Sequence, residues 1–535
     1  MSVSIFISCI SIAAFAVSMH AQSWQWAQQT HGNLKSNSSA LDVDRLGNVY
    51  VTGSFADSIS FGTTTLRSDR ATAIYLVKYD GNGSVIWATI AATGGTLRVT
   101  DIDIDNSSNI SIVGQFLERG YFGSEGLDTL TSHGDFDAYV AKYSDTGSLL
   151  WTTAIGATGH DYGSGVSSDA LGYTYVTGDI HISPYPFSSS KVFIGKFNSS
   201  GENVWLTVPS TFSTTDVSEG ISTDSVGNSY ITGRFFNTLT FDSVLILNAN
   251  NVEANVFIGK FSPDGTNLWL QKAGSGSGYC GGIGIDIDAD GNSYVTGYFH
   301  GSISFGSLQL SSSNGMLNEV FLAKCNTNGA YQWAVKPDGI GQGEHVSVTE
   351  SGECYVSGTF YRTLRIGTNV LSNAANSAIF LIKADTIGQF VAAQQIGGIH
   401  NATLGECKVS SQGVFVSGSF LDSLTLSPSI GVIGDTSSYH LFVAKMNTVT
   451  EVVEHPLNDE FVVFPNPSSD HITVVQRGAL DANVEILNSI GERVVKTRTT
   501  DQRTTIDVST YPTGMYVVRL QNFDGTVVHA KMMIE

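Results

Sequence analysis

The chain is patterned in short alternating runs, with no helical stripes. The stretch Ile283 to Lys336 shows the unit. Four apolar or alternating runs, IGIDID, SYVTGYF, EVFLAKC and YQWAVK, are separated by turn chemistry: Asp290-Gly291-Asn292 after the first and Asn328-Gly329 before the last. Period-two alternation bounded by Asp, Asn and Gly reads as strands joined by tight hairpins, here a four-stranded antiparallel sheet. The second run recurs as Tyr50-Val51-Thr52-Gly53, Ile112-Val113-Gly114, Tyr175-Val176-Thr177-Gly178, Tyr230-Ile231-Thr232-Gly233, Tyr294-Val295-Thr296-Gly297, Tyr355-Val356-Ser357-Gly358 and Phe415-Val416-Ser417-Gly418. Successive glycines stand 55 to 64 residues apart. Such a period marks a repeat architecture, in which each unit buries its apolar faces against its neighbours.

The third run always carries a lysine at one phase: Lys78, Lys142, Lys196, Lys260, Lys324, Lys383 and Lys445. The fourth carries Trp87, Trp151, Trp205, Trp269 and Trp333, with Phe390 in the sixth copy, and no such run follows Lys445. The missing run stands at the other end, in Ser23-Trp24-Gln25-Trp26-Ala27-Gln28, with no repeat before it. An orphan at each end predicts closure. The fold class expected is all-β: a seven-bladed β-propeller over residues 22–447, with the N-terminal strand as the outermost strand of the last blade. At fixed phase the lysines are expected to lay their stems between blades and pair with a carboxylate or carbonyl. The tryptophans are expected to be buried inter-blade packing, not sugar platforms.

The pattern Asp-x-x-Gly-Asn-x-Tyr-Val-Thr-Gly, followed by Phe-Gly (Phe61-Gly62, Phe122-Gly123, Phe305-Gly306), Leu-Val-Lys-Tyr-Asp and Trp, resembles the repeat of secreted bacterial seven-bladed β-propellers, relatives of the NHL propellers. Copies six and seven depart from it, with Ile366-Gly367 and Leu426-Ser427 and no Asp before Gly352 or Gly413.

A polar, acidic stretch with Pro456, residues 448–460, reads as a linker, after which the composition changes. Alternating strands and Gly turns over residues 461–535 predict a small β-sandwich. Pro465, Asn466, Pro467, Gly491, Gly514 and Lys531, at these intervals and at the C-terminus, resemble the type A C-terminal sorting domain of the type IX secretion system. That resemblance implies the secretion machinery as a partner and a destination outside a Gram-negative cell, released or on the outer surface. The apolar run within residues 1–21 reads as a signal peptide, and no later run is apolar enough to span a bilayer as a helix.

A formal charge of -21 repels phosphate backbones, which sets nucleic acid aside as a partner. Cys280, Cys325, Cys354 and Cys407 lack the spacing of a metal site, and spacing alone cannot pair them as disulfides. Asp286, Asp288 and Asp290 open like a calcium loop, but Gly297 stands where the closing Glu belongs, so a turn cap is the expected role and no cofactor is assigned. Loops joining one blade's fourth strand to the next blade's first are unequal. They supply the candidate ligand-binding residues His31, His160, Asp161, Glu344, His345 and His400. No Gly-x-Ser-x-Gly elbow, His-Glu-x-x-His or phosphate loop occurs in the chain. Two readings follow: a non-enzymatic surface scaffold binding a glycan or protein, or a secreted lyase or hydrolase using His160, His345 and His400, since related propellers include lyases with channel histidines.

Overall fold

The computed structural model describes residues 23–181, 190–210, 216–242, 244–247, 253–274, 278–313, 315, 317–367, 369–373, 377–397, 402–427, 430–434, 439–447, 461–464, 470–476, 482–488, 493–501, 503–522 and 527–534. The chain divides into two compact units, Met1–Val449 and Thr450–Glu535. Among the described residues there is no α-helix, only one 3-10 turn at Ser124–Gly126.

In the first unit the repeats form seven four-stranded antiparallel blades among the described residues: blade one over residues 31–94, two over 96–155, three over 162–207, four over 217–274, five over 280–335, six over 338–396 and seven over 402–446 with 24–29. Blades one to six run in sequence order from an inner to an outer strand. One long strand, Val85–Ile104, ends blade one and begins blade two. The inner strand of every blade packs on that of the next, and the inner strand of blade seven packs on that of blade one, so the units close a ring. Closure is as the orphan strands predict. Trp24–Gln29 pairs antiparallel with His440–Met446 as the fourth strand of blade seven, and Trp24 is buried in that blade's core.

The repeated residues weld neighbouring blades. In the first hairpin of blade one the Asp44 carboxylate accepts the amides of Leu46 and Asn48, each at 2.9 Å, and Asp105, Asp169, Asp224 and Asp288 cap their hairpins in the same way. The third-strand lysine reaches that carboxylate: Lys142 to Asp105 at 2.9 Å, Lys324 to Asp288 at 3.3 Å. Where blade six lacks the Asp, Lys383 pairs instead with Glu353 at 2.9 Å; in blade seven Lys445 lies over the Phe415 ring. The second-strand tyrosine carries the weld across to the next blade. Tyr175, Tyr230 and Tyr294 donate to the carbonyls of Gly227, Gly291 and Gly352, at 3.0 to 3.1 Å.

The tryptophans depart from the buried expectation. Trp151 is buried, but Trp26, Trp87, Trp205, Trp269 and Trp333 are half-buried, because the fourth strand is the rim of the ring and leaves one ring face to solvent. Each still packs on the next blade. Trp269 Nε1 donates to the Thr327 carbonyl at 3.0 Å, and a Cβ at Gly329 would sit 2.9 Å from its ring. Gly329 has φ +81°, so both the turn and the close approach require glycine there. Trp26 makes the same contacts with Gly81 and Gly83 of blade one, across the seam.

In the second unit, Phe461–Phe464, His471–Gln476 and Arg503–Asp507 form one sheet, and Ala482–Leu487, Arg493–Thr499, Gly514–Asn522 and Val527–Ile534 another. Ile472 and Val474 of the first share a core with Val484, Val518 and Ile534 of the second, which makes a β-sandwich.

Candidate functional site

The inner strands give two layers of register-equivalent positions, defined by their partners on the second strand. The layer opposite the tyrosine holds Asp42, Asp103, Ser167, Ser222, Asp286, Ser347 and Lys408; the next holds Ala40, Asp101, Gly165, Gly220, Gly284, His345 and Glu406. They face the ring axis, since groups from non-adjacent blades feel one another: Lys408 of blade seven feels Asp103 of blade two and Asp286 of blade five.

Most of these charges are already engaged. Lys408 lies 3.6 Å from Asp42, and this carboxylate with its neighbours holds the ammonium well above its ordinary pKa. Burial opposes a charge on His345, but Glu406 at 2.7 Å, aided by Glu344 and Asp101, overcomes it and raises the imidazole to about 9. The inner-strand carboxylates also staple blades together: Asp42 accepts the Ile104 amide, Asp101 that of Val166 and Asp286 that of Val348, each at 2.8 Å. Burial, with Glu406 beside Asp101 and Asp42 beside Asp103, pushes both carboxyls up to about 7.

A second feature opens on the end of the ring away from the first hairpins. Every inner strand after blade one carries a bulge, and its extra residue is Thr100, Ser164, Glu219, Ile283, Glu344 or Gly405. Directly after each second-strand glycine stand Ser54, Gln115, Asp179, Arg234, Tyr298, Thr359 and Ser419. Blade four fills these positions with Glu219 and Arg234, and blade five with Ile283 and Tyr298. A cavity of about 490 Å³ lies there, lined also by Tyr279, His300, Asn318 and Gln342. Arg234 pairs with Glu219 at 3.2 Å, and Tyr279 lies near-parallel to Tyr298 and His300, ring centroids 6.1 Å apart in each case.

The candidates read from sequence fall in separate places. His345 lies at the axis, and Glu344 is the bulge residue beside it, whose carboxylate accepts the Thr359 hydroxyl at 2.7 Å. His160 stands in the loop between blades two and three, paired with Asp135 at 3.1 Å and edge-on to Phe136 and Tyr162. Asp161 is buried. Its carboxylate accepts the amides of Ala157 at 2.5 Å and His181 at 2.6 Å, a loop staple whose pKa burial raises to about 6. His31 begins the inner strand of blade one, opposite Ser60. His400, Pro465, Asn466, Pro467 and Gly491 lie outside the described residues. Gly514 opens a strand of the sandwich, and Lys531 pairs opposite Val517.

Of the three candidate calcium residues, Asp286 bonds Ser222 and Val348, whereas Asp288 is held by Lys324, Tyr294 and Asn292. Among the described residues no group of three His, Cys, Asp or Glu is placed to hold a metal ion. The four described cysteines are free and buried.

Missed from sequence were the axial Asp42, Glu406 and Lys408 and the cavity's Arg234, Tyr298, His300, Asn318 and Gln342. A signal existed: the residue after the repeat glycine is Arg or Tyr in copies four and five and Ser, Gln, Asp or Thr elsewhere.

Residues 462–535 match the family described as secretion system C-terminal sorting domain. Over 422 residues the chain is 24% identical to an uncharacterized WD repeat-containing protein of Acanthamoeba polyphaga mimivirus, covering 63% of this chain and 30% of that relative. Three solved structures are similar. A gluconolactonase from Xanthomonas campestris is 11% identical, over 66% of this chain and 90% of that one, with TM-score 0.30. A member of the duf4221 family from Bacteroides vulgatus is 10% identical, over 80% and 97%, with TM-score 0.32. PorZ, a surface component of the type-IX secretion system of Porphyromonas gingivalis, is 9% identical, over 95% and 100%, with TM-score 0.13. The propeller itself is read from the chain's own strand pairing. With the sorting domain at its C-terminus, the chain is a secreted or outer-surface protein of a Gram-negative bacterium, handled by the type IX secretion system.

Proposed function

We propose that this exported propeller is a binding scaffold at or beyond the cell surface, taking an extracellular ligand on the face where its blades differ. One observation carries the reading: the groups that weld blades repeat from copy to copy, whereas the residues beside the second-strand glycines change, with the large ones gathered on one arc. A fold needs the first set. It does not need Arg234 and Tyr298 where other blades manage with Ser, Thr, Gln or Asp.

A secreted lyase or hydrolase is the second reading, favoured by Asp101 and Asp103, whose carboxyls near 7 suit a general acid. His345 argues against itself as a base, being protonated at neutral pH beside Glu406. Turnover separates the two. The purified exported protein is screened against polysaccharides and peptides, with and without a chelator. Binding without cleavage is the expected result; product formation lost on changing Asp101 and Asp103 to Asn, or His160, His345 and His400 to Ala, overturns the scaffold reading.

The N-terminal 21 residues serve in this reading as the inner-membrane signal and the terminal sandwich as the outer-membrane one. Ending the chain at Val449 should leave the propeller in the periplasm, as fractionation of the native host would show.

A further inference from the structure

Resting on the binding reading above, we propose that the cavity of blades four to six is a site for a neutral glycan. A pyranose offers an apolar face of C–H groups and a rim of hydroxyls, so its receptor needs an accessible aromatic surface bordered by planar groups that donate and accept side by side. The cavity holds both. Tyr279 is partly exposed and lies at 18° to Tyr298 and 9° to His300, giving an extended aromatic patch. Asn318 and Gln342 line the same cavity with amides, each able to donate and accept to vicinal hydroxyls. The volume, about 490 Å³, falls in the range of about 300 to 1,000 Å³ common for small-ligand sites.

Charge selects a neutral sugar over an acidic one. The guanidinium of Arg234 is committed to Glu219 at 3.2 Å, so the pair presents a field already neutralised from within. A uronate or sulfate would enter this field without a cation left to meet it. The patch is also held in place. A Cβ on Gly281 would come within 2.9 Å of the Tyr298 hydroxyl, so the bare glycine leaves room for that ring to lie against the strand. A second cavity, about 450 Å³ beside Arg70 and Tyr121, lacks this pairing of an accessible ring with amides, since Arg70 covers Tyr121 at 3.8 Å.

The test is affinity electrophoresis and calorimetry of the full-length exported protein with soluble dextran, mannan, xyloglucan and laminarin, and with alginate and polygalacturonate as acidic probes. A peptide array runs in parallel. The expected result is binding to at least one neutral polysaccharide, weakened about tenfold or more by Tyr279→Ala, kept within about threefold by Tyr279→Phe, and unchanged by Arg70→Ala. Thermal melts verify that each variant is folded, and Asn318→Ala replaces Tyr279→Ala if the latter is not. Neutral-glycan binding untouched by folded Tyr279→Ala or Asn318→Ala overturns the site and leaves the scaffold reading standing. Binding to the acidic polymers alone overturns the neutral class. A peptide ligand lost in Tyr279→Ala, with no polysaccharide bound, overturns the glycan and keeps the scaffold. No ligand in either panel overturns both.

Discussion

At the first-hairpin end of the blades a lysine, an aspartate and a tyrosine recur with similar partners, whereas along the axis equivalent positions hold Asp in one blade, Ser in the next and Lys in a third. Both sets are charged and both bridge blades, yet they solve different problems. Lys142 and Asp105 are each nearly inaccessible and meet at 2.9 Å, so neither can lose its partner without leaving a bare charge in a dry place. Lys408 keeps 40% of its side chain accessible and shares itself among several carboxylates, two of which take up protons near neutrality. The weld is therefore fixed by pairwise geometry, and the axis by collective charge.

The largest effect should come from opening the ring. Deleting Trp24–Gln29 removes the fourth strand of blade seven and uncovers its neighbour, at a cost on the order of 5 kcal/mol or more, as a buried aromatic such as Trp24 alone is worth about 3 to 5. Denaturant unfolding measures it. A loss no greater than that from deleting six residues of the 448–460 linker would mean the ring closes otherwise.

Next, Lys142→Met should cost about 3 to 5 kcal/mol by stranding Asp105. Lys408→Met should cost less than about 2 kcal/mol at neutral pH, because Asp101 and Asp103 can answer by binding protons. Equal losses would erase the distinction between weld and axis. A smaller loss, about 2 kcal/mol, is expected for Trp269→Ala, whose ring is half-buried and gives up one hydrogen bond and its seat on Gly329. A cost under about 0.5 kcal/mol would show that the rim tryptophans do not join blades.

The finest distinction is in pH. Burial raises Asp105 and Asp288, but their bonds to lysine and asparagine outweigh it and the net shift is downward. Stability from the weld is thus present above the unfolded carboxylate value near about 4 and lost as pH falls through the lower folded one. The axis has the opposite sign. Asp101 and Asp103, raised to about 7, take up protons in the folded chain first, so stability falls as pH rises toward 7 and then levels. His345, raised to about 9, adds stability that is present below about 6.5 and lost as pH rises through 9. Thermal midpoints from pH 3 to 10 should peak on the acidic side, and His345→Gln should flatten the alkaline limb. An unchanged limb would remove His345 from that account.

The ring, its closure and the sandwich were legible because each depends on a local period that repeats. Alternation, hairpin Asp-Gly chemistry and the orphan Trp strand are carried by residues near one another in the chain. Even the degenerate copies kept the logic: Ile366 and Leu426 stay buried where other blades use Phe. The site was legible only in fragments. Loop reasoning reached Glu344 and His345 but set them beside His160, which pairs instead with Asp135 between blades two and three.

What the sequence determined by itself was therefore every short-range fact: which runs are strands, which turns need Asp or Gly, and where the missing strand must return. What only the tertiary structure decided was which side chains share the axis and which line one arc of its mouth. Asp42 and Lys408 meet at 3.6 Å although 366 residues separate them, and Glu219, Tyr279 and Gln342 border one cavity from three blades. No local pattern encodes such meetings, because they follow from the curvature that seven packed sheets accumulate around the ring, a property of the assembled blades and not of any one of them.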